Sequence, residues 1–239
     1  MTAAPFNESR LKLRVPDAGE VSALLLRPAN AHWLLVLAHG AGAGMSHPFL
    51  AKLAHELSEL AVATFRYQFP YMEQRRRVPD PPAVLTSTVR AAVRAANQAA
   101  PDLPILAGGK SMGGRMTSQA AAEDRSESAP ELARVQGLVF FGFPLHPPGR
   151  PGTKRADHLS LVKKPMLFLQ GTRDQFADLK LLRPVCEQLG ARATLREIAT
   201  ADHSFHVLKS SGKTDGEIMR ELAQAVRAWA DTLSRGASS

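Results

Sequence analysis

A serine between glycines is the first feature of this chain that suggests chemistry. Gly109, Lys110, Ser111, Met112 and Gly113 form the pattern Gly-x-Ser-x-Gly, directly after the apolar run "LPILA". In the sharp strand-to-helix turn that this pattern marks, the flanking glycines relieve crowding and the serine hydroxyl is exposed. The pattern predicts Ser111 as a nucleophile for acyl transfer, with Lys110 as a variable position whose side chain points away from the substrate.

The same residues also end like a phosphate-binding loop, Gly-x-x-x-x-Gly-Lys-Ser/Thr. The first glycine of that loop would stand where this chain has Pro104, which lacks an N–H group. A second glycine cluster, "HGAGAGM" from His39, resembles a dinucleotide fingerprint. Its third glycine is replaced by Met45 or His47, depending on where the pattern starts. Neither cluster therefore predicts a phosphate site.

A serine hydroxyl is a weak nucleophile until a base accepts its proton, so a histidine and an orienting acid are required. The expected chain order after such a turn is serine, acid, histidine. Asp174 follows the apolar run "PMLFLQ", and His203 follows the run "ATLREI". Asp202 is a weaker candidate because adjacent side chains diverge, and its expected role is to cap a loop. His206 is a weaker base because a helical or packed position is more natural for it.

Acyl transfer also requires N–H groups that stabilise the negative oxygen of the tetrahedral intermediate. Met112, the residue after the serine, is predicted to supply one of them. The loop "HGAGAG" is predicted to supply the other, from Ala41, with Gly42 close by and assigned to substrate binding. Tyr67 and Tyr71 are candidates for lining the entrance of the site, although packing in the core explains these aromatic residues about as well.

These residues need a scaffold that brings several strand ends together. Short apolar runs alternate with stretches of helical periodicity, which is typical of a parallel sheet covered by helices. The runs predicted as strands start at Val21, His32, Ala61, Leu103, Gly137, Pro165 and Ala193. Most of the runs are apolar throughout, so the strands are expected to be buried on both faces.

Apolar residues at helical spacing separate the runs and predict helices. The predicted helices cover residues 50–60, 85–93, 112–123, 177–190 and 214–235. Ser46 is the candidate N-cap of the first, and Pro184 must begin the main body of the fourth or kink it. Thr214 and Glu217 form a capping box at the start of the last helix, and Gly236 lies just past its end.

Length and composition favour one domain. The 239 residues, 44% hydrophobic and 22% charged, fit a single globular domain over 1–239 with flexible tails at 1–10 and 236–239. The N-terminal residues lack the apolar segment of a secretory signal, and no stretch is long enough to cross a bilayer. We therefore expect a cytoplasmic protein without membrane insertion. The single cysteine, Cys186, indicates neither a disulfide nor a cysteine-based metal site.

The net charge of +8 raises the question of a nucleic-acid or phosphate ligand. The Lys and Arg residues are spread along the chain, and the one dense run, Arg75–Arg77, fits a solvated loop. We therefore expect a small acyl substrate rather than nucleic acid. Attraction of an acidic substrate or partner by that run stays open.

Five segments together resemble the alpha/beta-hydrolase superfamily over nearly the whole chain: "AHGAGAGMSHP", "FRYQFPYMEQRRR", "GGKSMGGRMTS", "QGTRDQF" and "ADHSF". The second segment is similar to a branch of small, capless proteins near the dienelactone hydrolases, with eukaryotic relatives in a testis-expressed protein and a histone-acetyltransferase complex subunit. The resemblance implies an α/β single domain with a mostly parallel central sheet, helices on both faces and little or no cap.

The same resemblance implies a carboxylic ester hydrolase with Ser111 as nucleophile, Asp174 as orienting acid and His203 as base, without a metal or an organic cofactor. Dienelactone hydrolases proper carry a cysteine where this chain has Ser111, so a thioester or lactone preference does not follow. The eukaryotic members of the narrower branch act partly through protein interaction. A catalytically silent interaction module on the same fold therefore stays an alternative.

Overall fold

An eight-stranded sheet forms the centre of the computed structural model, which describes residues 8–123 and 130–236. The strands are β1 Glu8–Val15, β2 Gly19–Leu26, β3 Trp33–Ala38, β4 Val62–Tyr67, β5 Ile105–Lys110, β6 Val135–Phe141, β7 Met166–Gly171 and β8 Ala193–Ile198. Their spatial order is β1-β2-β4-β3-β5-β6-β7-β8. The β1–β2 and β2–β4 pairs are antiparallel and the other pairs are parallel, which confirms the predicted mostly parallel sheet.

The central strands are mostly apolar, since helices cover both of their faces. The edge strands depart from this rule. In β8, the last strand in the order of the described sheet, partly buried and exposed side chains alternate and only Ile198 is buried. In β1, Leu13 and Val15 are buried, and the alternate residues Arg10, Lys12 and Arg14 are exposed. Sequence analysis missed β1, and because residues 8–10 belong to it, the expected flexible tail of residues 1–10 is too long.

Helices pack on both faces of the sheet. The α-helices of the described residues are α1 Pro48–Glu59, α2 Pro70–Glu73, α3 Pro82–Ala99, α4 Met112–Glu123, α5 Leu179–Leu189 and α6 Asp215–Gly236. α1 and α6 share one apolar core with the sheet, and α3, α4 and α5 share the core on the opposite face. None of these helices combines the length and the apolar composition that a membrane span needs.

Helix ends agree only in part with the sequence predictions. His47, not Ser46, caps α1, because its Nδ1 accepts the N–H of Phe49 at 3.2 Å. The capping box of α6 is present: the Thr214 N–H donates to a Glu217 carboxylate oxygen at 2.7 Å, and the Glu217 N–H donates to the Thr214 hydroxyl at 3.2 Å. Each of these contacts satisfies an N–H group that the first helical turn leaves free.

Pro184 lies inside α5, so of the two predicted alternatives it does not begin the helix. Two differences from the predictions remain, and the first is that Gly236 is the last residue of α6 rather than the residue after it. Residues 237–239, the rest of the expected C-terminal tail, are outside the described residues. The short helix α2 was not predicted, because four residues are too few for a periodic pattern.

The run Arg75–Arg77 is exposed in the loop after α2, as the solvated-loop interpretation predicts. Arg76 forms an ion pair with Asp80 in the same loop. The carboxylate of Asp80 also accepts the N–H of Tyr71, at 2.8 Å. This ion pair therefore ties the loop back to α2.

Candidate active site

Ser111 occupies a strained turn between β5 and α4. Its φ angle is +52°, a conformation that residues other than glycine rarely adopt. A Cβ atom on Gly109 would lie 2.5 Å from the carbonyl oxygen of Ala38, and one on Gly113 would lie 2.6 Å from that of His39. No side chain fits at either position, so close packing against β3 and the residue after it explains both glycines of the Gly-x-Ser-x-Gly pattern.

The structure brings Ser111, His203 and Asp174 together. His203 Nε2 lies 2.9 Å from Ser111 Oγ, and His203 Nδ1 lies 2.7 Å from Asp174 Oδ2. Asp174 is in the loop after β7 and His203 is in the loop after β8. Because β5, β7 and β8 run parallel, their carboxyl ends meet at one edge of the sheet. This arrangement is able to move a proton from a serine hydroxyl to an imidazole.

The carboxylate of Asp174 is fixed from three sides. Its side chain is 0% exposed. Oδ1 accepts the N–H of Phe176 at 2.7 Å, and Oδ2 accepts the side-chain amide of Gln170 at 2.5 Å in addition to facing His203. The His203 ring also packs against the Phe176 ring, with 4.3 Å between centroids. These contacts leave the imidazole little freedom to rotate away from Ser111.

Gln170 is a site residue that sequence analysis missed. It is the next-to-last residue of an otherwise apolar strand, and this polar residue in an apolar run was the available signal. Its side chain is fully buried and joins two segments: Oε1 accepts the N–H of Phe143 at 2.9 Å while the amide nitrogen holds Asp174. Gln170 thus fixes the loop after β6 against the acid.

Gln170→Ala is expected to lower the free energy of unfolding by about 1–3 kcal/mol, because it leaves the buried N–H of Phe143 unpaired and removes one donor from the Asp174 carboxylate. Urea denaturation at pH 7 measures this loss. Gln224→Ala, at an exposed position of α6, is the matched control and should stay within about 0.5 kcal/mol of wild type. Equal stabilities of the two variants would contradict the role given to Gln170.

The alternative acid and base lie elsewhere. Asp202 Oδ1 accepts the N–H groups of Ser204 at 2.8 Å and His206 at 3.0 Å, so it caps its own loop as expected. His206 is exposed rather than packed, which the sequence analysis did not expect. Its Nδ1 lies 2.6 Å from Asp215 Oδ2, and this hydrogen bond raises the pKa of His206. In the described residues it is His203, not His206, that contacts Ser111.

The predicted oxyanion donors surround Ser111. Met112 is the first residue of α4, so its N–H has no acceptor within the helix. Ala41 lines the same cavity as Ser111, and its N–H has no protein acceptor among the described residues. Gly42, in contrast, donates its N–H to the Tyr71 hydroxyl at 3.0 Å. The amide of Gly42 is therefore not free for a substrate.

Tyr67 and Tyr71 do not line the entrance of the site. Both are at most 1% exposed, and neither borders the cavity that contains Ser111. Tyr67 packs against Phe69, with 5.5 Å between ring centroids, and burial raises the pKa of both tyrosines. The core-packing alternative is correct for Tyr67, and Tyr71 supports the loop that carries Gly42.

His39 is a buried link between two loops. Its Nδ1 lies 2.7 Å from the carbonyl oxygen of Gly40, and its Nε2 accepts the N–H of Phe69 at 3.1 Å. These contacts require a neutral ring with its proton on Nδ1. Burial lowers the pKa of His39 to about 4. His39 therefore positions the loop that carries Ala41 against the segment that follows β4.

The protein should lose stability as the pH falls from 6.5 to 4, by about 3 kcal/mol from His39 alone, because only the unfolded chain binds a proton there in this range. Burial also lowers the pKa of His158 to about 4, so that residue adds to the slope. Urea denaturation at several pH values measures the slope, which should be smaller in His39→Gln and unchanged in the exposed control His32→Gln. The same slope in both variants would refute a buried neutral His39.

A cavity of about 560 Å³ opens above Ser111. Its lining is mostly apolar, from Ala41, Ala43, Pro48, Phe49, Leu50, Phe176, Phe205 and Met219. His203 borders the cavity beside Ser111, and Lys52, His206 and Asp215 also border it. In the part of the chain that the structure describes, no three His, Cys, Asp or Glu side chains are grouped so as to hold a metal ion.

Lys110 does not point away from the site, as the sequence analysis expected. It lines the cavity, and its Nζ is buried without a hydrogen-bond partner among the described residues. Burial lowers the pKa of Lys110 to about 8, against the opposing influence of the carboxylates of Asp174 and Asp202. The sequence pattern gives no direction for this side chain, because that direction depends on how the turn packs against other loops.

Comparisons with known proteins identify the fold. The sequence matches the family described as alpha/beta hydrolase domain over residues 31–231. The chain is similar to a dienelactone hydrolase from Anabaena variabilis, with 22% identity over 95% of this chain and 97% of that chain and a TM-score of 0.72. The chain is also similar to a serine hydrolase without a lid from Xanthomonas campestris, with 19% identity over 96% of this chain and 98% of that chain and a TM-score of 0.69.

An esterase domain from Rhodothermus marinus is also similar, with 16% identity over 94% of this chain and 98% of that chain and a TM-score of 0.67. All three structures are matched over almost their whole length. Because the identities are below 25%, the similarity shows a shared fold and not a shared activity.

Proposed function

The chain belongs to the alpha/beta hydrolase family, and on that basis we propose that it is a serine hydrolase that cleaves a carboxylic ester or a related acyl bond. The observation that carries this proposal is the hydrogen-bonded row of Ser111, His203 and Asp174, with contacts of 2.9 and 2.7 Å. The turn exposes the serine, and N–H groups without acceptors lie beside it. This arrangement fits acyl transfer.

The first half of the reaction acylates the serine. His203 Nε2 accepts the Ser111 proton while Oγ attacks the acyl carbon, and the charge on the new oxyanion is stabilised by the N–H groups of Met112 and Ala41. Asp174 stabilises the imidazolium that forms. When the intermediate collapses, His203 donates the proton to the leaving alcohol, and the acyl group stays on Ser111.

The second half restores the enzyme. Water takes the place of the alcohol, His203 accepts one of its protons, and the oxygen attacks the acyl carbon. Collapse breaks the bond to Ser111, returns the proton to Oγ and releases a carboxylic acid. The cycle consumes one ester and one water and uses only the side chains and backbone groups already named.

A small acyl substrate is proposed from the cavity. Its apolar lining suits an aliphatic or aromatic acyl group, and its volume of about 560 Å³ is in the range of small-molecule sites. The esterase domain from Rhodothermus marinus is a relative in fold that supports the ester as first choice. A cytoplasmic location stays a prediction.

A panel of esters, thioesters and lactones with acyl chains of two to about ten carbons tests the proposal. Wild type should hydrolyse short-chain aryl esters, and a fluorophosphonate probe should label the peptide that contains Ser111. If no member of the panel is hydrolysed and no label is found, the protein is not a serine hydrolase, and the silent interaction module takes its place.

A further inference from the structure

The proposed mechanism gives no role to Lys110, although this residue lies beside the reacting groups. It ends β5, directly before Ser111, and its Nζ is enclosed without a hydrogen-bond acceptor among the described residues. An ammonium group without an acceptor is unfavourable in a protein interior. Its presence next to the site therefore needs a physical explanation.

The ammonium borders the same small space as the acid–base pair. A Cβ atom placed on Gly142 would lie 3.2 Å from Lys110 Nζ and 3.4 Å from both Asp174 Oδ2 and His203 Cε1. Gly142 has φ +69° and carries no side chain, so nothing from this residue separates the three groups. The positive charge is thus within several ångströms of the side chains of Asp174 and His203.

Two aromatic rings hold the ammonium in this position. The rings of Phe49 and Phe205 are stacked, with 5.7 Å between centroids and 20° between planes. Lys110 Nζ lies over both rings, 5.9 and 5.6 Å from their centroids. Such cation–π contacts stabilise a charge that has no hydrogen bond.

Charged and titratable groups lie on several elements around Lys110. They are His47 and Lys52 at the start of α1, Asp174 after β7, Asp202, His203 and His206 after β8, and Asp215 at the start of α6. The carboxylates of Asp174 and Asp202 accept hydrogen bonds from other groups. Lys110 therefore acts on Asp174 and Asp202 through its charge alone.

We propose that Lys110 is a positioning residue of the acyl-transfer reaction, whose buried ammonium holds the Asp174–His203 pair in the form that accepts the Ser111 proton. This inference rests on the proposed function. In that form the pair consists of a carboxylate and a neutral imidazole. A fixed positive charge nearby opposes the binding of a further proton to the pair, so the pair stays active at lower pH than it would without Lys110.

The test is the pH dependence of kcat/KM between pH 4.5 and 8 for p-nitrophenyl acetate, with each profile normalised to its own plateau. Lys110→Met removes the charge and keeps a side chain that packs on Phe49 and Phe205. Its acid limb should move to higher pH by about one unit, so that normalised activity well below the midpoint falls about tenfold. Lys110→Gln is a second neutral variant with the same expected shift, should Lys110→Met not fold.

Lys180→Met, at an exposed position of α5, is the matched control and should keep the wild-type midpoint. The Lys110 variants could instead lose rate equally at every pH, with no shift of the midpoint. That result would show a merely structural role and overturn the inference. Failure of the proposed function is a different result, because wild type itself would then neither hydrolyse the ester nor react with the fluorophosphonate.

Discussion

Replacing Ser111 by alanine is expected to lower kcat/KM for a short-chain aryl ester by at least about 10⁴-fold and to abolish labelling by a fluorophosphonate. The variant lacks the oxygen that forms the acyl bond, so only water activated by His203 remains as a nucleophile. The Met112 and Ala41 N–H groups still bind an oxyanion, and for this reason a small residual rate above the uncatalysed reaction should persist.

Alanine at this position should not disturb the fold. The turn already accommodates a Cβ atom at φ +52°. The substitution removes the hydrogen bond between the Ser111 hydroxyl and His203. Thermal unfolding should therefore shift by no more than a few degrees. Lost activity together with lost stability would leave the loss without a chemical interpretation, so both quantities are measured on the same preparation.

Ser118→Ala is the matched control for Ser111→Ala. Ser118 also contacts a histidine, with 2.7 Å between its Oγ and His158 Nε2, but it lies within α4, and its hydroxyl bonds to the carbonyl of Arg115. It does not border the cavity above Ser111. The control should keep its label and a rate within about threefold of wild type. If Ser118→Ala were inactive and unlabelled while Ser111→Ala stayed active, the nucleophile would be Ser118 in α4.

The site residues that the sequence pattern selected, and that the structure brings together, are marked by short motifs and by their order in the chain. A Gly-x-Ser-x-Gly turn is recognised from five adjacent residues, although the crowding at Gly109 and Gly113 comes mainly from Ala38 and His39. The order of Asp174 and His203 along the chain follows from a parallel sheet, whose alternating pattern is visible in the sequence. The resemblance to alpha/beta hydrolases is confirmed by the family match over residues 31–231.

The parts that sequence analysis missed depend on contacts between distant segments. Gln170 acts through Phe143, 27 positions away in the chain, and no local pattern marks such a pair. An aromatic residue can face the core or the cavity with the same neighbours in sequence, so Tyr67 and Tyr71 were placed at the entrance. Lys110 was placed outside the site because its direction is determined by Phe49 in α1 and Phe205 in the loop after β8, which are both distant from it in the chain.

Asp174→Asn is expected to lower kcat for the same ester by about 10³- to 10⁴-fold with little loss of structure. The carboxylate accepts three hydrogen bonds, from His203, Gln170 and the Phe176 N–H. An asparagine amide has one oxygen that accepts and one NH₂ group that donates. Its NH₂ group would therefore face a neighbouring group that is also a donor. The conflict is relieved if the NH₂ group donates to His203 Nδ1. The imidazole proton then lies on Nε2, so His203 is unable to accept the Ser111 proton.

Asp202→Asn separates this effect from a general loss of negative charge near the site. Asp202 adjoins His203 and lies close enough to influence Lys110, yet its Oδ1 accepts only backbone N–H groups, which an asparagine oxygen accepts equally well. This control should retain a rate within about fivefold of wild type. If the two asparagine variants lost activity to the same extent, the charge would matter and the tautomer would not, and Asp174 would no longer be assigned as the residue that orients His203. A large loss in Asp174→Asn alone instead assigns the orienting role to the hydrogen bond between Asp174 and His203.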